Sequence, residues 1–283
     1  RPAFQPISMR FHECLQTGRF AVALEITPPQ KPLAKVLLRR AQLLDDLVQA
    51  INVIQRPGRQ SSLDASLELL QAGIEPAWHL VTRGRSRNEV AAELERARAG
   101  GIRQVLCILG DHPADPADDP VTIREVIEMA RDALPGALIG ATLNQYGKDE
   151  AAVLKNLLPK LGAGAAYVQT QPAFDAVAIE RYAGSIHDAF PDTRIIAMAM
   201  PILSLDAASK IEERLGIHLP ASLREILASE DEDAAWAAFA ATLRQLVASP
   251  AVDGVAIMTY EMDAGPETAA RICEALRRAG AAQ

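Results

Sequence analysis

The sequence predicts an α/β chain of the (β/α)8 TIM-barrel class, and three observations carry that expectation. Eight short apolar runs recur along the 283 residues, amphipathic helical segments alternate with them, and polar residues stand where the runs end. Short, nearly continuous apolar runs are the signature of strands buried on both faces, and strict alternation implies parallel strands joined by right-handed crossovers. An open doubly wound sheet shares the alternation. Eight repeats, in a chain close to the ~250 residues typical of a barrel, favour closure.

The predicted strands are 20–26, 50–54, 75–81, 103–109, 137–143, 165–170, 194–200 and 254–259. Between them the apolar positions fall at three- and four-residue intervals, as in Leu33, Val36, Leu37, Leu43, Leu44 and Leu47. The same spacing recurs in Val121, Ile123, Val126, Ile127 and Met129, and in Val153, Leu154, Leu157, Leu158 and Leu161. Ser86 three residues before Glu89 reads as a capping box, and Gly100-Gly101 and Gly162 as helix stops before the fourth and sixth strands. The last helix is expected at 268–278. The interval 203–250 is longer than one helix requires. Two or three helices are expected there, one starting at Pro220 and another opening at Glu230-Asp231-Glu232-Asp233. No linker or low-complexity tract divides the chain, so a single barrel domain over 1–283 is expected, with an extra helical insertion around 203–250.

Composition narrows the function classes. The hydrophobic fraction of 49% and charged fraction of 23% are those of a globular protein with a sizeable core. A net charge of −7 argues against a nucleic-acid partner. The densest basic cluster, Arg83, Arg85 and Arg87 around Gly84, fits a phosphate contact or a solvated loop. No stretch reaches the ~18–20 apolar residues of a membrane helix, and Arg1 to Pro6 carry no signal-peptide pattern, so no membrane partner is expected. Cys14, Cys107 and Cys273 match no zinc or CxxC spacing, which points to reduced thiols and a cytoplasmic setting.

Neither GxGxxG after a strand nor GxxxxGK[ST] occurs, and Gly162-Ala163-Gly164 precedes a strand and reads as a turn. In barrel enzymes the catalytic candidates stand at the C-terminal ends of strands. Here those ends supply Glu25, Gln55, His79, Asp111 and His112, Asn144-Gln145-Tyr146, Gln171, and Tyr260-Glu261. Glu25 interrupts an apolar strand, where desolvation raises a carboxyl pKa towards that of a general acid; a buried structural glutamate paired with a cation is the alternative. Asp111 is either functional or an Asx cap, and His79 either a ligand or a core histidine. His79, Asp111 and His112 are of metal-ligating type, but HxH on the first strand and HExxH are both missing. No strand carries the lysine of a Schiff-base aldolase.

Taken in order, these motifs resemble the methylenetetrahydrofolate reductase family from about Phe20 to Cys273. Leu24-Glu25-Ile26-Thr27-Pro28-Pro29 is similar to its E-x-x-P-P, His79-Leu80 to its H-L pair, and Leu109-Gly110-Asp111 with Pro113 to its R-G-D-x-P. Thr170-Gln171-Pro172-Ala173-Phe174-Asp175 resembles its T-Q-x-x-F-D, and Gly216-Ile217-His218-Leu219-Pro220 a stretch of its seventh insertion. The resemblance implies a barrel holding FAD without a Rossmann domain, NAD(P)H as reductant and methylenetetrahydrofolate as the hydride acceptor. By position it implies Glu25 as the acid that opens the folate's five-membered ring and Asp111 as the group that stabilises the resulting cation and tunes the flavin. It further implies Gln171 for the folate and His79, Asn156 and Lys160 for FAD, and strand eight puts Tyr260 at the substrate.

The departures fall on cofactor and substrate contacts. Leu109 stands for the arginine of R-G-D, Thr142-Leu143 for a strand-five aromatic, Val153 for an acidic residue, and Glu261-Met262 for a substrate-facing arginine. They keep three alternatives open: a flavin-free folate or pterin protein, a non-catalytic accessory subunit that needs a partner chain, and a metal-dependent hydrolase. A homo-oligomer is compatible with any of these.

Overall fold

The computed structural model describes residues 10–44, 47–110 and 117–281. Its elements in order are α1 (Phe11–Thr17), β1 (Ala21–Ile26), α2 (Ala34–Ala41), β2 (Ala50–Val53), α3 (Ser62–Gln71), β3 (Pro76–Val81) and α4 (Arg87–Gly100). Then come β4 (Gln104–Ile108), α5 (Ile123–Ala133), β5 (Leu138–Leu143), α6 (Glu150–Gly162), β6 (Tyr167–Pro172), α7 (Val177–Ala189) and β7 (Arg194–Ala199). The chain closes with α8 (Leu205–Leu215), α9 (Ala221–Ala228), α10 (Glu232–Ala248), β8 (Gly254–Met258) and α11 (Pro266–Ala279). The strands form one closed parallel barrel in sequence order, β8 pairing back onto β1. All eight predicted strands are present; β6 runs two residues further than expected, to Pro172. The helix α1 was not anticipated, its seven residues being too few to show a periodicity.

Local chemistry sets the helix boundaries. Ser86 and Glu89 close the capping box of α4, and Gly101 ends that helix with φ of 82°, a conformation that costs a residue with a Cβ. A second capping box, Thr122 with Glu125, opens α5, while Asp231 caps α10. The three arginines around Gly84 are each paired: Arg83 donates to the Gly110 carbonyl, Arg85 meets Glu93 and Arg87 meets Glu125. They fasten loops, in line with the solvated-loop reading.

The alternating pleat divides the core in two. Val22, Leu24, Ile51, Val53, Trp78 and Leu80 point outward against the helices. Ala21, Ala23, Ala50, Leu106, Tyr167 and Ile196 form a separate interior cluster, capped from below by Phe11 of α1 edge-on to Tyr167 at 6.4 Å. Small interior residues make room for that ring: a Cβ on Gly140 would lie 2.2 Å from Tyr167 Cζ. With the bottom plugged, the C-terminal mouth is left for chemistry.

The interval 203–250 folds as α8, α9 and α10. Its own core of Ile202, Ile211, Ile217 and Leu219 packs against Tyr146, Phe174 and Met258, residues from the ends of three barrel strands, and so walls one side of the mouth. Gly216-Ile217-His218-Leu219-Pro220 is the joint that fixes this wall. Gly216 ends α8 at φ 63°, the Leu219 N–H donates to Glu212 at 2.7 Å, and Glu212 also pairs with Arg224 of α9. No described helix is long and apolar enough to cross a membrane.

Candidate active site

Glu25 lies one residue from the end of β1 with only 8% of its surface exposed. Its register partners are Asn52 on β2 and Met258 on β8. Gln169 Nε2, on β6, donates to Glu25 Oε2 at 3.0 Å, and Asn52 Nδ2 donates to Gln169 Oε1 at 2.8 Å. β6 borders neither β1 nor β2 in the sheet, so these bonds cross the barrel interior. Burial pushes the Glu25 carboxyl up to about 7, against the opposing pull of Gln169, Arg214, Arg56 and Asn52. A carboxyl titrating there holds a proton over much of the neutral range and can give it up, which is what a general acid requires.

His79 sits on β3 between Trp78 and Leu80, both of which face the helices; the alternation therefore turns His79 into the barrel. It is 4% exposed, its Nε2 has no hydrogen-bond partner among the described residues, and desolvation drives its pKa down to about 4. A neutral imidazole with a buried, unsatisfied nitrogen is costly unless something binds there. Its strand is locked from behind: Ser62 Oγ of α3 donates to the His79 carbonyl at 2.9 Å and accepts from Trp78 Nε1 at 3.1 Å.

Gln171 lies in β6 where the pairing with β7 slips between Gln169 and Pro172. Such a bulge re-aims a side chain, and here the backbone that carries it is clamped. Gln145 after β5 accepts from the Gln171 N–H at 3.0 Å and donates to the Gln171 carbonyl at 2.8 Å. Tyr146 Oη donates to the next carbonyl, of Pro172, at 2.7 Å. Gln145 and Tyr146 at the end of β5 therefore hold the end of β6.

Tyr260 stands on the rim after β8, 39% exposed and in electrostatic contact with Lys210 of α8. Asn156 and Lys160 are four residues apart on one face of α6, outside the ring of strands. Asn156 is exposed. Lys160 is half-buried, donates to the Thr142 carbonyl at 3.4 Å, and has its ammonium pKa lowered by burial. Asp111 and His112 lie outside the described residues. The structure thus gathers Glu25, His79 and Gln171 at the upper barrel strands, adds Tyr260 at the rim, and leaves Asn156 and Lys160 on a flanking helix.

Four residues of this site were not singled out from the sequence. Asn52 and Gln169 carry the same signal that marked Glu25, a polar residue inside an apolar run near a strand's C-terminal end, and that signal could have found them. Arg56 and Arg214 act on Glu25 from a loop and from the insertion, a proximity set by tertiary packing alone. Among the described residues the large exposed apolar side chains are Leu33, Leu109, Val177, Leu205, Tyr260 and Met262. Every one follows the C-terminal end of a strand. Apolar surface concentrated on one face marks a binding surface.

A barrel plugged at one end, with a buried acid and a neutral, unpaired histidine at the other, defines a (β/α)8 enzyme working at its C-terminal mouth. The sequence pattern of the methylenetetrahydrofolate reductases matches residues 10–276, and the chain belongs to that family. It is 22% identical over 254 residues to the 5,10-methylenetetrahydrofolate reductase of Escherichia coli K12, covering 86% of this chain and 83% of that protein. A probable NADPH-dependent methylenetetrahydrofolate reductase of Caenorhabditis elegans is 27% identical over 184 residues, 62% of this chain and 28% of the relative. Among solved structures, the tetrahydromethanopterin reductase of Methanopyrus kandleri superposes with a TM-score of 0.57 at 14% identity, covering 91% of this chain and 97% of that one. That likeness shows the fold. The family makes this a methylenetetrahydrofolate reductase-like oxidoreductase of folate one-carbon chemistry.

Proposed function

We propose that the protein reduces 5,10-methylenetetrahydrofolate to 5-methyltetrahydrofolate, with FAD as resident cofactor and NAD(P)H as reductant. The observation that carries this reading is the protonatable Glu25, buried at the end of β1 in the same mouth as the unpaired His79 nitrogen. That nitrogen is the test of fit for a cofactor: it is a buried polar atom waiting for a partner, and FAD offers several. His79 would meet the cofactor inside the mouth, and Asn156 and Lys160 would meet its diphosphate, with Asp111 assigned to the same group by family position. When bound, FAD supplies a hydride acceptor and donor between the nicotinamide and the folate.

The chain's own residues do the rest. Glu25 delivers a proton to the ring nitrogen of the folate's breaking C–N bond, opening the five-membered ring to a cationic iminium. Once deprotonated, Glu25 is an anion in a low-dielectric site and stabilises that cation, a role shared with Asp111. Gln171, its backbone held by Gln145, orients the folate, and Tyr260 covers it from the rim. The exposed apolar rim suits flat aromatic ligands. A cytoplasmic location fits a reductase drawing on NAD(P)H.

Purified protein is expected to be yellow, to be bleached anaerobically by NADH or NADPH, and to recover its flavin absorbance when methylenetetrahydrofolate is added. Colourless protein that neither binds added FAD nor gains thermal stability from it refutes the flavin reading. One observation favours the second reading, a folate protein without flavin: Leu109, 44% exposed at the end of β4, presents an alkyl chain where the family carries an arginine. Stabilisation by folate but not by FAD selects it, by ligand linkage.

A further inference from the structure

We propose that Gln169, oriented by Asn52, is a positioning residue for Glu25: it occupies Oε2 with an N–H donor, so that the proton Glu25 delivers is carried on Oε1. This rests on the reading that Glu25 is the acid, and deepens it.

The geometry is a three-residue chain across the barrel. Asn52 Nδ2 donates to Gln169 Oε1 at 2.8 Å, and the primary amide of Gln169 then has only its Nε2 to present to Glu25, at 3.0 Å. With Asn52 presenting its Nδ2, the Gln169 amide turns its Oε1 to Asn52 and its Nε2 to the acid. In a protonated carboxyl the carbonyl oxygen is the better acceptor, so an amide N–H on Oε2 favours the acid proton on Oε1. Asn52 and Gln169 are each 3% exposed, and water does not compete for these bonds. Asn52 also reaches the Glu25 carboxyl itself.

The charged and titratable groups around Glu25 come from every side of the mouth. Arg56 follows β2, Arg214 projects from α8, and His79 stands on β3 as a neutral imidazole. Behind Glu25 a cavity of about 30 Å³, room for one water, separates it from Arg39, Arg40 and Asp263. The cations and the two amide donors favour the carboxylate, while burial opposes it. Removing the Gln169 donor therefore shifts the balance towards the protonated form.

The test is a titration of Glu25 in the ligand-free protein by carbon NMR of labelled glutamate carboxyls, with Glu25→Gln identifying the signal. The wild-type midpoint is expected near 7. In Gln169→Met it is expected to rise by about one pH unit or more. The double variant Asn52→Leu/Gln169→Met replaces both amides with apolar groups and leaves neither amide stranded; because Asn52 also donates to Glu25, a rise at least as large is expected there, which keeps the test decisive if the single variant folds poorly. An unchanged midpoint overturns the proposal. So does a fall, because it means the Gln169 carbonyl, not its N–H, faces Glu25 and accepts the acid proton. In turnover, Gln169→Met is expected to lower kcat about tenfold with the folate KM little changed, and to move the pH profile by the amount the NMR midpoint moves. Loss confined to KM overturns the positioning role. A shifted midpoint in a protein with no reductase activity keeps the Asn52–Gln169–Glu25 arrangement and refutes the proposed function instead.

Discussion

Replacing Glu25 by glutamine should remove a pH dependence of stability that the wild-type protein carries in its active site. The folded-state pKa of Glu25 is about 7, against 4.5 for an unperturbed glutamate. Between these two values the folded protein holds a proton that the unfolded chain has released, so stability falls as pH rises through that window. A gap of about 2.5 units at ~1.4 kcal/mol each is roughly 3–4 kcal/mol, fully developed only above the folded pKa. Most of it, roughly 2–3 kcal/mol, accumulates between about pH 5 and pH 8. Glutamine in the same place does not titrate. Its altered hydrogen bond to Gln169 adds an offset independent of pH, so the slope of the difference is the quantity to read. Urea unfolding of the two proteins at intervals from pH 5 to pH 8 gives it directly. The stability of Glu25→Gln relative to wild type should climb by that amount across the series. A flat difference, or one that falls with pH, would show that Glu25 is not a desolvated acid and would remove the physical basis for its catalytic role.

His79 works in the opposite direction. Its folded pKa of about 4 lies below the unperturbed 6.5, so its contribution to stability is complete above 6.5 and is lost as pH falls towards 4. Wild-type stability thus conceals two opposed terms of similar size; His79→Gln should remove the acid-side loss, and a His79 imidazole seen by NMR to titrate near 6.5 refutes the assignment. Gly140→Ala drives a methyl into the Tyr167 ring, 2.2 Å from Cζ, and should cost about 1–3 kcal/mol in chemical unfolding. Gly254→Ala should cost more, because its Cβ meets the Ala21 carbonyl oxygen at 2.5 Å and backbone yields less than a ring. Equal stability for either variant refutes the close approach. Asp263→Asn strips the counter-charge from Arg40, which is buried and also donates to the Thr27 carbonyl at 2.6 Å. With Asp263 half exposed, the loss should be about 1–2 kcal/mol rather than that of a fully buried pair. Hydrogen exchange should quicken in the loop after β8 that carries Tyr260, and an unchanged loop would sever the link between this clamp and the rim.

The sequence by itself determined the barrel, because eight strands buried on both faces must be apolar throughout, and that pattern survives in one dimension. It determined the location of Glu25 for the same reason. A carboxyl inside such a run has nowhere to face but the interior or the helix layer, and its place near the strand end implies the mouth. The capping residues Ser86, Gly101 and Asp231 were equally legible, since a cap depends on neighbours three or four residues away. What acts on Glu25 was not. Asn52 meets it by the register of β1 on β2, while Gln169, 144 residues away, reaches both only because the barrel closes and brings β6 across from them. Arg214 depends on how the insertion folds over the rim, and the unpaired nitrogen of His79 depends on which groups fail to reach it. Sequence position says which residue can ionise. The pKa at which it does so depends on burial and on partners distant along the chain, and those the closed barrel alone assembles.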